Sequence, residues 1–308
     1  ACLVGSEMCI RDSTNVVIDA AGVILQTAGT SSGSGGRIIL WSDADASGQG
    51  FVSIDKNSTL NSIGGATSTY TGGGDIHVAG GEDNGSTAIS SAAVNGDGLP
   101  DGWAIATVDI QHGIFLGADA ATGNINKIQS GGGDIRMFGK NTTAADAFSL
   151  NWTTQMDAGQ GQIELQGDSA GWGLQINRSG IADTYNPKTV ITSRSNTHPA
   201  IYIKGKSTGN NLYIGLLSSF GDAGTDNVLI QAVGTGGVHL VADAPAAFPA
   251  MGLASTAILS ASGAVTLDGG TSSSSTTGGI HLGQMRTGHG QGAVQIGSCA
   301  AGSSAGQC

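Results

Sequence analysis

The sequence predicts a right-handed parallel β-helix. Three observations predict it: a glycine-led strand motif that returns along the chain, a composition poor in aromatic and charged residues, and no helical stretch to form βαβ crossovers. The motif is clearest at Gly72-Gly73-Gly74-Asp75-Ile76-His77-Val78. Further copies start at Gly36, Gly133, Gly161, Gly237, Gly263, Gly279 and Gly292. Each reads as a glycine turn, then apolar, free, apolar. The free residue is His, Arg, Glu, Thr or Gln in every copy except the first, where it is Ile39. Alternation of period two is the pattern of a short strand with one buried and one wet face.

Composition narrows the interior. The 308 residues include 53 Gly and 5 Pro, with 11% charged and 5% aromatic, so the core must be built from Val, Ile, Leu and Ala in a narrow, regular space. The 39% of apolar residues in strand-like alternation argues against a disordered chain. A net charge of −11 and a pI near 4.6 disfavour nucleic acid and anionic lipid, which need clustered Lys and Arg that 12 scattered residues do not supply. No apolar run approaches the roughly 20 residues needed to cross a bilayer. No signal peptide opens the chain, and the expectation is an internal piece of a longer exported protein.

The elements come in order. Ala1 to Asp12 departs in composition from the rest of the chain. Through Gly5-Ser6-Glu7-Met8-Cys9-Ile10-Arg11-Asp12 it resembles a translated sequencing-adapter stretch, and it is set apart as a non-native leader. Residues 13–297 form the repeat domain and 298–308 a Gly/Ser/Ala-rich tail. Strands are expected at Val16–Ile18, Val23–Leu25, Arg37–Trp41, Phe51–Ile54 and Leu60–Ile63, separated by Gly, Ser, Asn and Asp turns. They resume at Gly113–Leu116, Ile125–Ile128, Gly173–Ile176, Thr189–Ile191, Ala200–Ile203, Leu212–Ile214 and Val228–Ile230. The intervals from Gly36 to Gly74 and from Gly237 to Gly279 suggest two coils each, about 20 residues per coil and a rod of roughly 60–70 Å. Two loop excursions interrupt the rhythm, Glu82–Ala106 and Asp243–Met251, the second carrying Pro245 and Pro249.

Several residues bear a family likeness. Gly-Gly-Arg-Ile-Ile-Leu-Trp-Ser-Asp at 35–43, Gly-Gly-Gly-Asp-Ile at 72 and at 131, and Asn-Gly-Asp-Gly-Leu-Pro-Asp-Gly-Trp at 95–103 resemble the filamentous-haemagglutinin-like exoproteins. These are large bacterial surface adhesins exported by two-partner secretion or related routes. The likeness covers about Asn15 to Ile296, without a recognisable secretion domain or membrane barrel. It implies an extracellular or cell-surface location, an outer-membrane transporter for export, and a host surface, a neighbouring cell or a glycan as partner.

Candidate sites stand beside plainer readings. Asn95, Asp97 and Asp101, alternating around Gly98, resemble part of a calcium loop, but Ala93 holds the place of a first Asp and no bidentate Glu follows; an Asx-stabilised turn is the plainer reading. Asp43 and Asp45 would share a face if the strand ran past Trp41, and paired carboxylates are what glycoside hydrolysis requires. Gly288-His289-Gly290 resembles one polygalacturonase motif, but the Asp-Asp, Asn-Thr-Asp and Arg-Ile-Lys elements that accompany it are missing. His77, His239 and His281 occupy the free position and are expected to be solvated rather than to bind metal. Thr271–Thr277 reads as a polar turn, with an ice- or sugar-facing ladder as the alternative. Cys299 and Cys308 either close a terminal loop in an oxidising compartment or are incidental thiols, and no CxxC points to zinc. The alternation buries Ile76, Val78, Ile135, Ile163, Leu165, Val238, Leu240, Ile280 and Leu282, and exposes His77, Arg136, Glu164, His239 and His281. The expected function is structural and adhesive, with no catalytic residue and no cofactor other than a weak calcium candidate. A carbohydrate-active β-helix enzyme and a calcium-stabilised secreted binding module are the alternatives.

Overall fold

The computed structural model describes residues 2–4, 7–27, 35–63, 71–84, 96–108, 111–117, 125–150, 153–176, 189–209, 214–218, 228–244, 250–269, 280–282 and 294–298. Over these residues the chain is all-β, a right-handed parallel β-helix with three sheets visited in fixed rotation. It opens with an antiparallel hairpin of β1 (Cys2–Val4) and β2 (Glu7–Arg11). From β2 onward each coil gives one strand to each sheet. The first coil adds β3 (Val16–Ile18) and β4 (Ile24–Gln26); the second is β5 (Ile38–Ser42), β6 (Val52–Ile54) and β7 (Thr59–Asn61). The third starts with β8 (Ile76–Gly80), is completed in the same sheet by β9 (Ala104–Ala106), and runs on through β10 (Ile114–Leu116) and β11 (Asn126–Gln129). The fourth is β12 (Ile135–Asn141), β13 (Phe148–Leu150) and β14 (Thr154–Asp157), and the fifth β15 (Ile163–Ser169), β16 (Leu174–Ile176) and β17 (Thr189–Ser193). The sixth is β18 (Ile201–Ser207), β19 (Leu216–Ser218) and β20 (Val228–Ala232). The seventh and eighth are β21 (Val238–Asp243), β22 (Met251–Leu253), β23 (Thr256–Ser260) and β24 (Val265–Asp268), β25 (Ile280–Leu282), β26 (Val294–Ser298). First strands form sheet A, second strands sheet B and third strands sheet C.

This register corrects the expected coil length. Ile38 pairs with Ile76, Ile163 with Ile201 and Val238 with Val265, so one coil takes 27 to 38 residues, except the third, which takes 59 from Ile76 to Ile135 because it carries the excursion after Gly80. Eight coils at about 4.8 Å each make a rod of roughly 35–40 Å, not 60–70 Å. The glycine motif misleads because it recurs within a coil: Ile280–Leu282 lies in sheet B and Val294–Ser298 in sheet C, not in sheet A.

The interior is a set of like-on-like stacks. Ile38, Ile76, Ile135, Ile163, Ile201 and Val238 form one fully buried row of sheet A, and Leu40, Val78, Met137, Leu165, Ile203 and Leu240 form the next. Sheet C supplies Leu60, Ile128, Met156, Ile191, Ile230 and Ile258. Phe148 is the single aromatic side chain of this core, as the scarcity of aromatics requires. The expected exposure pattern needs correction: Arg136, Glu164 and His239 are half-buried instead of exposed, and the side chain of His281 lies outside the described residues. His77 is buried, its ring set edge-on to Phe138, and the flanking residues Ile280 and Leu282 are 36% and 48% exposed, in a coil on which no strand among the described residues stacks further. The other flanking residues named from the sequence are buried as expected.

Two rows of small residues hold the sheets together. Two positions before the first inward residue of sheet A stand Gly36, Gly74, Gly133, Gly161, Pro199, Gly236 and Gly263. A Cβ on Gly161 would press into the Gly133 carbonyl. Hydroxyls at the close of sheet C seal this corner: Thr27 Oγ1 donates to Gly36 O (2.8 Å), Ser62 Oγ to Gly74 O (2.6 Å), Ser193 Oγ to Gly161 O (2.6 Å) and Ser260 Oγ to Gly263 O (2.8 Å). At the opposite end of sheet A, Gly139, Gly167, Gly205 and Ala242 form an inward row against the approach to sheet B. A Cβ on Gly205 would run into the carbonyl of Gly215.

The stretch set apart at the amino end has a place in this architecture. Met8 pairs with Ile38, Ile10 with Leu40, and the Arg11 guanidinium lies 4.2 Å from the Trp41 ring centroid. Of the first excursion, Ala104 and Ala106 belong to the buried core, so the segment outside the sheet ends at Trp103. Asp243 and Met251 close and open strands, and 245–249 lie outside the described residues, as do Leu212 and Tyr213 of one expected strand. Sheet B is entered there at Leu216 instead. The packing sets a scale for substitution. Ile203→Ala is expected to cost about 2–5 kcal/mol and Gly205→Ala about 1–3 kcal/mol in urea denaturation, with exposed Gln155→Ala within about 0.5 kcal/mol of the parent.

Candidate functional site

Outward positions of sheet A carry most of the chemistry-bearing side chains. In register along the axis stand Ile39, His77, Arg136, Glu164, Tyr202, His239 and Thr266. A parallel row holds Lys140, Asp168, Lys206 and Asp243, with signs that alternate from coil to coil. At about 4.8 Å between coils, alternation removes the repulsion that like charges would suffer. Lys206 Nζ lies 3.6 Å from Asp168, and Arg136 contacts Asp134 at 2.8 Å and Glu164 at 3.8 Å. The carboxylates just before the strands bind along the axis as well: Asp75 accepts from the Asp134 amide and Asp134 from the Gln162 amide, each at 2.8 Å. Tyr202 packs edge-on to His239, and burial, then Glu164, Asp243 and Asp268, raise the pKa of its hydroxyl.

The amino-terminal part of this face is covered. Between Gly80 and Ala104 the chain leaves the sheet; 85–95 lie outside the described residues, and the described legs form a hairpin stem joined by the Gly80–Gly102 bridge and by the Asp101 amide on Glu82 O. Trp41 Nε1 donates to Gly81 O (2.6 Å) at the root of the hairpin. On the return leg, Trp103 packs edge-on against Phe138, and Phe138 against His77. These contacts explain the burial of His77, 6% exposed, and of Trp41 and Phe138 on what is formally the outer face. His77 Nε2 has no hydrogen-bond partner, and burial, followed by the Arg136 and Arg37 charges, lowers its pKa from 6.5 to about 3. Sequence periodicity missed this cluster because alternation assigns a face but does not reveal what lies over it. One signal was available: in a chain so poor in aromatics, Trp41 and Phe138 at outward positions mark a covered surface.

The residues singled out from the sequence do not come together. β5 ends at Ser42, and Asp43 turns into the left-handed region with φ 51°, so it does not continue a strand face with Asp45. Its buried carboxylate accepts from Ser47 Oγ (2.9 Å) and the Gly48 amide (3.1 Å), while exposed Asp45 accepts from the Ser47 amide (3.3 Å). Asp97 Oδ1 accepts from the Leu99 amide (2.9 Å), and Asp101 Oδ2 from the Asn84 amide (2.7 Å). Asp83, which sequence reading passed over, clamps the hairpin by accepting from the Gly96 and Gly98 amides at 2.6 and 2.9 Å. Asn95, His289, Thr271–Thr277, Cys299 and Cys308 lie outside the described residues. Among the described residues no three His, Cys, Asp or Glu are grouped to hold a metal ion. His77 and His239 stand four coils apart, about 19 Å along the axis, and His281 belongs to sheet B. No helix among the described residues is long and apolar enough to cross a membrane.

No protein-family model, curated protein or solved structure matches this chain.

The buried His77 makes stability depend on pH. Above pH 6.5 both folded and unfolded chains keep the ring neutral; between 6.5 and about 3 the unfolded chain takes up a proton that the folded one refuses. Stability should therefore fall on acidification through this window, by about 1 kcal/mol per pH unit from this group. Urea midpoints at pH 7, 6 and 5 should diverge between the parent and His77→Leu, with the variant losing less.

Proposed function

We propose that this chain is a structural and adhesive β-helix segment of a large bacterial surface or secreted protein, of the filamentous-haemagglutinin-like kind, and that it carries out no catalysis. The observation that bears most on this reading is the use of its carboxylates. Asp43, Asp83, Asp97 and Asp101 each bind backbone amides of a nearby turn, so they stiffen loops instead of converging on a substrate. The coil interior is filled by side chains, and the open outward positions hold polar and charged residues in self-compensating rows. Such a body separates binding surfaces from their point of attachment. The reading places the protein outside the cell, exported through an outer-membrane transporter, with a cell surface or glycan as its partner. The excursions at Glu82–Ala106 and Asp243–Met251 are the proposed contact regions.

A single assay separates this reading from polysaccharide cleavage. Incubated with a panel of neutral and acidic polysaccharides, the chain should bind them weakly or not detectably and form no reducing ends or unsaturated products. Turnover that disappears in Asp43→Ala, Asp45→Ala or His289→Ala would replace the adhesive reading with an enzymatic one.

A further inference from the structure

We propose that the outward face of sheet A over coils five to eight is the contact surface of a two-fold dimer, in which two copies of this chain pack antiparallel. The inference is independent of the adhesive reading and starts from the rings on this face. Trp41 and Phe138, outward in coils two and four, are both buried: the Trp41 indole donates to Gly81 O, and Trp103 packs edge-on against Phe138. Further along the same face Tyr202 and His239 stand edge-on with centroids 5.5 Å apart, and they are only half-buried, as is Val241 beside them. In a chain with 5% aromatic residues, a ring at an outward position marks a surface that is covered when the protein is assembled. The described stem of the excursion after Gly80 reaches Trp41 and Phe138, which leaves coils five to eight for a different cover.

A second copy fits because this face is self-complementary in charge. Three outward rows run along the axis: Glu164, Tyr202, His239 and Thr266; Gln166, Lys204, Val241 and Asp268; Asp168, Lys206 and Asp243. Turning a copy about an axis parallel to the strands, placed between coils six and seven, keeps each row opposite itself and reverses the order of the coils. Lys206 then faces the partner's Asp243, Tyr202 the partner's His239, Gln166 the partner's Asp268 and Glu164 the partner's Thr266. No like charges meet. The Lys206 side chain is 44% exposed while 3.6 Å from Asp168, so its ammonium can take a second carboxylate across the axis. The other two-fold arrangement, with the axis along the solenoid, sets Glu164 against the partner's Asp168, Lys204 against the partner's Lys204 and Asp268 against the partner's Asp268. Repulsion opposes it. Four coils by the seven residues of β18 give a face of about 19 by 23 Å, the size of a weak, salt-sensitive contact and not of an obligate one.

Sedimentation of the full chain over a concentration series tests the proposal. The parent should dimerise, with a dissociation constant that rises about tenfold or more between roughly 0.05 and 0.5 M sodium chloride. Lys206→Glu and Asp243→Lys should each weaken self-association by about tenfold or more, since each creates two like-charge contacts across the axis. An equimolar mixture of these two variants should recover dimer to within about threefold of the parent, because the reversed charges again face opposite ones. Tyr202→Ala, which leaves every charge in place, should weaken the dimer as well, and circular dichroism checks that each variant keeps its β-structure. A parent that stays monomeric throughout, a dimer that survives either charge reversal, a mixture that does not recover, or an unchanged dimer in Tyr202→Ala would each overturn the proposal.

Discussion

Every residue of a coil sits about 4.8 Å above its counterpart in the coil below, and the parallel backbone ladder holds it there. This repeat distance is the constraint on which the rest of the structure depends. An inward position tends to keep one character from coil to coil, because each side chain faces the same buried row above and below: Asn141, Ser169 and Ser207 form a polar inward row at the end of sheet A. The rows led by Ile38 and Leu40 keep an apolar character with Ile, Val, Leu and Met alone. Where the chain turns from one sheet to the next, backbones come closer than a side chain allows. Glycine therefore recurs at the same register position from Gly36 to Gly263, with Pro199 the exception. The Ser and Thr hydroxyls at the close of sheet C then satisfy carbonyls that the corners leave without a strand partner.

The same repeat distance governs the outside. A charge placed on one coil meets whatever the next coil presents, and Lys140, Asp168, Lys206 and Asp243 alternate accordingly. Asp75 and Asp134 use the spacing differently, reaching one coil along the axis to a backbone amide. These contacts consume charged groups that in a catalytic cleft would be free to act. Acidic residues of the turns, Asp43, Asp83, Asp97 and Asp101, are engaged likewise, and the proposed structural and adhesive role rests on that engagement.

The hairpin after Gly80 departs from the repeat without breaking it. It leaves sheet A in mid-strand and returns in register, so β8 and β9 together occupy the place that β12 or β15 fills with one continuous segment. Covering the face lets His77, Trp41 and Phe138 be buried where the repeat alone would leave them wet.

How much of this was legible in the residues depends on the range of the interaction. The glycine turn followed by alternating apolar residues is a local pattern, and by itself it determined the strands, their inward faces at Ile76, Ile135, Ile163 and Val238, and the parallel β-helix. The length of a coil is not local. Identical grammar serves corners in sheets A, B and C, so only the pairing of Ile38 with Ile76, and of Ile280 with Met251, distinguished a full coil from part of one. The carboxylates show the same division. Residue type and spacing marked Asp43, Asp97 and Asp101, but their engagement was decided by a left-handed turn at Asp43 and by the distant partner Asn84. His77 is the clearest case. Its position in the motif determined that it points away from the core, and a hairpin whose return leg lies more than twenty residues further along the chain decided, through Trp103 and Phe138, that it is nevertheless buried. Periodicity encodes which way a side chain points; what lies over it is set by contacts that only the folded chain brings together.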